Sequence, residues 1–159
     1  MIVHGLSFRI PQQMPLFLAA ILKGIDVGSY QWKVFTNQSE VYPLGEDGGV
    51  INGTVYTEEA YEGEAFLDQI MKPQFVLFLK TGAFQHDADL KEINTFSEFY
   101  QCGCELLVLL NDCEYVEVYT KNAKHLNIIL ANCVINRFED IELITEEDRR
   151  TDNMNVKQV

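Results

Sequence analysis

The chain has 159 residues, about the size of one ordinary domain, and 47% of them are hydrophobic, which is enough apolar surface for one core. Its 12 Lys and Arg against 24 Asp and Glu leave a net charge of −12, which argues against a partner held chiefly through phosphates or an anionic membrane surface. The longest apolar run, Leu16 to Leu22, is far short of the roughly 20 residues that cross a bilayer, and the amino terminus lacks the pattern of a signal peptide. A cytoplasmic location is therefore expected, with Cys102, Cys104, Cys113 and Cys133 kept as thiols.

Val3 to Ile10 reads as a first strand ended by Pro11. A helix is expected from Pro15 to Gly24; its run LFLAAILK is apolar almost all round, so one stripe on a sheet cannot cover it, and a symmetric homodimer through this helix is an expectation. Tyr30 to Thr36 and Val41-Tyr42 read as a short hairpin around Asn37 to Ser39. Leu44 to Gly53 reads as a loop, after which Thr57 is positioned to cap a helix with Phe66, Leu67 and Ile70 on its inner face. Phe75 to Leu79, bounded by Pro73 and Gly82, has the continuous apolar pattern of a central strand.

Thr95 and Glu98 form a capping box before a short helix through Tyr100. Cys104 to Leu110 and Tyr115 to Lys121 are separated by Asn111-Asp112-Cys113-Glu114 and predict an antiparallel hairpin. Asn122 caps a helix in which Leu126, Ile129, Leu130, Cys133 and Val134 recur at helical spacing. Asp140 to Thr145 reads as the last strand, before a polar tail at 146–159 with no assigned structure. These elements predict one α+β domain over 1–145. Its sheet should be mixed, mostly antiparallel, of about five to seven strands, with three or four helices packed on it.

The stretches GLSFRIP at 5–11, INTFSEF at 93–99, LLVLLNDCEYVEVYTK at 106–121 and ELITEEDRRT at 142–151 together resemble a small family of uncharacterised bacterial proteins. That family comes mostly from Gram-positive bacilli and is grouped only as a domain of unknown function. The likeness covers most of the chain and is weakest in its acidic middle. It implies no activity, cofactor or site residue, and Gly103 departs from the family's pattern, which has an acidic residue there.

The residues themselves carry few chemical signatures. Cys102, Cys104 and Cys113, even with His125 and Cys133 added, do not have the spacing of zinc ligands, so no metal is expected. Among His4, His86 and His125 as bases for a thiol nucleophile, His125 lies about two helical turns from Cys133, too far for contact along one helix. His86, Asp87 and Asp89 read as a solvated loop, and Glu46-Asp47-Gly48-Gly49 lacks the alternating oxygen ligands of a calcium loop. No nucleotide-binding or hydrolase motif occurs, and no cofactor is expected.

One feature of the charge is local. From Val34 to Met71 there is no Lys, Arg or His, while Glu40, Glu46, Asp47, Glu58, Glu59, Glu62, Glu64 and Asp68 supply eight negative charges. Tyr56 and Tyr61 are interleaved with them, and tyrosine joins a large contact area to a polar tip. The expectation is a non-catalytic intracellular protein-binding module that presents Glu58, Glu59, Glu62, Glu64, Asp68, Tyr56 and Tyr61 to a basic protein, with an inhibitor or immunity-type protein as one concrete form. The alternative is a small enzyme or ligand sensor built on the loops around His86 and Asp112.

Overall fold

Strand residues alternate between two faces, and here both faces are covered. In β6, Leu106, Val108 and Leu110 enter one apolar core while Leu107 and Leu109 enter another. The computed structural model describes residues 2–148 and 152–156. Its strands are β1 (Val3–Arg9), β2 (Gln31–Val34), β3 (Glu40–Pro43), β4 (Ala60–Glu62), β5 (Gln74–Phe84), β6 (Cys104–Asn111), β7 (Tyr115–Thr120) and β8 (Glu139–Thr145). The helices are α1 (Phe17–Ile21), α2 (Gly63–Ile70), α3 (Phe96–Gln101) and α4 (Ala123–Ile135).

The strands line up as β4-β2-β5-β6-β7-β1-β8, with β3 beside β5. The α+β class is as expected, with eight strands where five to seven were counted. Every pairing among the described residues is antiparallel, so the sheet is not mixed. The crossover from β7 through α4 to β8 does exist, but β1 lies between those two strands and pairs antiparallel with both. The expected hairpin at Tyr30 to Tyr42 is also absent. Instead β2 and β3 follow each other along one edge of β5, opposite Thr81–Phe84 and Gln74–Phe78, with a 3-10 turn at Thr36–Gln38 between them. That edge is long enough for both because β5 runs on past Gly82 to Phe84.

The β6–β7 hairpin forms as predicted, its turn held by Asp112 and Cys113 at φ 56° and 58°. The Thr95 hydroxyl accepts the Glu98 amide at 3.2 Å and starts α3, and the Asn122 side chain accepts the amides of Lys124 and His125 and starts α4. In α4, Ile129 and Cys133 are buried, but Val134 is 62% exposed. Asn132 is buried in its place, because its Nδ2 donates to the carbonyls of Ile21 and Lys23 at 2.7 and 2.8 Å and closes the end of α1.

That docking also decides α1. Phe17, Leu18, Ile21 and Leu22 are each 2% exposed or less within the single chain, and Leu16 is left at 39%. The apolar sides that suggested a homodimer through Pro15 to Gly24 are thus already covered by the chain's own core. At the other terminus, Met154 and Val156 are buried in the second core, where a polar tail was expected. Two apolar residues in an otherwise polar segment suffice to dock it: the Met154 amide donates to the Asn94 carbonyl at 2.8 Å and the Val156 amide to Gln38 Oε1 at 3.1 Å.

Candidate functional site

The acidic segment folds at one edge of the sheet. Ala60, Tyr61 and Glu62 pair with Lys33, Trp32 and Gln31, which makes β4 the outermost strand next to β2. The helix therefore begins at Gly63, not after Thr57, because backbone pairing with β2 claims residues 60–62. Gly63 is what lets α2 sit down: a Cβ there would lie 2.5 Å from the Gly28 backbone in the turn beneath.

Phe66 and Ile70 face inward and Leu67 is half-buried, with the Phe66 ring stacked on Trp32 at 4.4 Å between centroids. The outer side of α2 carries Glu64 and Asp68, one turn apart, and both are exposed. Glu58, Glu59 and Glu62 are exposed in and before β4. Among the described residues, Glu58, Glu59, Glu64 and Asp68 form no ion pair. The Glu59 carboxylate accepts from the Thr36 hydroxyl at 3.4 Å while its carbonyl accepts the Val34 amide at 2.9 Å, and Glu62 approaches the His86 ring at 3.8 Å.

The two tyrosines do not share this exposure. Tyr56 is 4% exposed, its hydroxyl donates to Gln74 Oε1 at 2.9 Å, and burial pushes that hydroxyl well above its usual range. Tyr61 is half-buried against the same ring cluster, and its oxygen accepts the Glu58 amide at 3.0 Å. Tyr56 is therefore a core residue and not a contact residue, while Tyr61 braces the acidic segment from below.

His86 and Asp112 do not meet. His86 follows the carboxyl end of β5 and Asp112 follows the carboxyl end of the antiparallel β6, so they stand at opposite ends of the sheet, separated by a strand length of roughly 25 Å. Cys104 and Cys133 are buried in different cores and all four cysteines are free. Burial raises the Cys104 thiol and takes Cys133 to about 12, which keeps both protonated and unreactive.

One cluster escaped the sequence reading. Lys33 and Lys80 lie under the second core, 8% and 0% exposed, with their ammonium groups 4.7 and 4.5 Å from the centre of the Phe35 ring. Lys33 donates to the Leu90 carbonyl at 3.3 Å and to Glu92 at 3.0 Å; Lys80 donates to the Ile93 carbonyl and to Asn155 Oδ1, the latter at 3.0 Å. Desolvation draws the Lys80 amine down to about 8. The signal was available: each Lys interrupts a run of strand formers, at YQWKVFT and FVLFLKTG. All the donors named have acceptors, so the cluster clamps the segment at 152–156 and the loop at 90–93 onto the sheet.

A family model described as "Protein of unknown function (DUF2691)" matches residues 3–155, and the chain belongs to that family. It is 32% identical over 156 residues to "Uncharacterized protein YncE" of Bacillus subtilis (strain 168), a match that covers 93% of this chain and 96% of that protein. No solved structure matches significantly. The resemblance carried by the strand and helix motifs is thus confirmed, and no activity comes with it.

Proposed function

We propose that this member of the DUF2691 family is a non-catalytic, intracellular binding module that presents Glu58, Glu59, Glu62, Glu64 and Asp68 to a basic protein. One concrete form is an inhibitor or immunity-type protein whose carboxylates occupy the phosphate-binding groups of a basic toxin or nuclease. The observation that supports the reading best is the concentration of exposed, unneutralised carboxylates along β4 and α2. Glu64 and Asp68, one turn apart and without an ion pair among the described residues, repel each other at a cost of a few tenths of a kcal/mol. A basic partner removes that repulsion on docking, and the same field draws the partner in at a rate that falls with salt.

The contact would be made by carboxylates held on a rigid frame. Gly63 packed on Gly28, Phe66 stacked on Trp32 and the Glu58 amide held by Tyr61 fix the backbone from which the side chains project. Affinity capture with the wild-type chain and with a Glu58→Gln, Glu59→Gln, Glu64→Gln, Asp68→Asn variant tests the reading. A basic protein retained by the first and lost from the second supports it. Equal retention by both removes the acidic edge from the interaction.

A further inference from the structure

At the end of the sheet where β5 begins and β6 ends, a cleft of about 360 Å³ opens beside Phe17 at the start of α1. We infer that this cleft binds a neutral, mainly apolar small molecule. Its floor is Ile10, Phe17, Val76 and Leu110, each no more than 6% exposed, and its volume falls at the lower end of the roughly 300–1,000 Å³ typical of ligand pockets. The charge of the occupant follows from the lining. In a chain with 23% charged residues, no Asp, Glu, Lys or Arg lines this cleft, so an ionised ligand would lose its hydration there with no counter-charge to replace it.

The polar groups on offer are equally selective. Gln74 is committed, since its Nε2 donates to the carbonyls of Gln69 and Lys72 and its Oε1 accepts from Tyr56. Gln13 forms no hydrogen bond among the described residues and lies on the rim, where one amide can meet one polar atom of a ligand. Val50 also lines the cleft and is 57% exposed, next in the chain to Ile51 at 49%. Apolar side chains that stand in solvent at the mouth of an apolar cleft gain burial when an occupant fills it. Cys113 also lines the cleft, half-buried, and supplies a handle for the test.

Titration with the neutral fluorophore 1-aminoanthracene reads the site directly. Saturable binding at one molecule per chain is expected, weakened about tenfold or more by Val50→Lys, a surface change that leaves the core intact. In a Cys102→Ser background, alkylating Cys113 with N-ethylmaleimide should abolish binding, whereas Cys113→Asn, which suits the positive φ, should retain it. The variant that neutralises the acidic edge should bind the fluorophore as the wild type does, which separates this site from the proposed protein contact. The inference is overturned if the folded wild type shows no saturable signal or if neither Val50→Lys nor alkylation alters it. A dimer seen by light scattering that Val50→Lys dissolves would overturn it too, because the cleft would then belong to a second copy of the chain.

Discussion

Replacing Lys80 by Met keeps the length of a fully buried side chain and removes its charge. The amine falls from 10.5 to about 8 on folding, chiefly through desolvation, with Lys33 adding to the fall and Glu92, Glu98 and Cys104 opposing it. A shift of that size corresponds to roughly 3 kcal/mol, which partial hydration reduces to about 2 kcal/mol. The sign follows from proton binding: between pH 8 and 10.5 the unfolded chain holds a proton on Lys80 that the folded chain has given up. The wild type therefore carries the penalty below pH 8 and sheds it as pH rises through that window. Urea unfolding of both proteins at pH 7, 8, 9 and 10, under reducing conditions, measures the difference. Its pH-independent part contains the acceptors on Ile93 and Asn155 left without a donor. Its pH-dependent part should favour the wild type by about 2 kcal/mol more at pH 10 than at pH 7. A difference that stays flat across the series would refute a desolvated amine at this position.

Three further substitutions probe the frame. Asn132→Leu leaves the carbonyls of Ile21 and Lys23 without their donor and should cost about 2 kcal/mol of unfolding free energy. Gly63→Ala places a methyl group 2.5 Å from the Gly28 backbone and should cost about 2 kcal/mol or more, with a lowered Tm and faster proteolysis near α2. Met154→Ala in the segment at 152–156 should cost about 2 kcal/mol, whereas a change in an undocked tail would cost nothing measurable.

What the sequence disclosed depended on how local each signal was. The Thr95 and Asn122 caps, the Asn111 to Glu114 turn and the apolar run at Phe75 to Leu79 are each complete within a few residues, and the structure holds all of them. The start of α2 was misplaced because Thr57 and the following glutamates satisfy helix-start rules, while the pairing of Ala60–Glu62 depends on Gln31–Lys33 about thirty residues earlier. Likewise nothing near Val41 reveals that its partner is Val76, and nothing near Met154 reveals Asn94. The exposure of Glu58, Glu59, Glu62, Glu64 and Asp68 was legible from charge alone. The burial of Tyr56 was not, because it rests on Gln74 and Phe66.

The acidic edge is tested most directly through the association rate with a captured basic partner, measured by stopped flow from low to high ionic strength. For the wild type the rate should fall by about tenfold or more across that range, and for the Glu58→Gln, Glu59→Gln, Glu64→Gln, Asp68→Asn variant it should start low and change little. Equal rates and equal salt dependence for the two proteins would contradict electrostatic capture by these carboxylates.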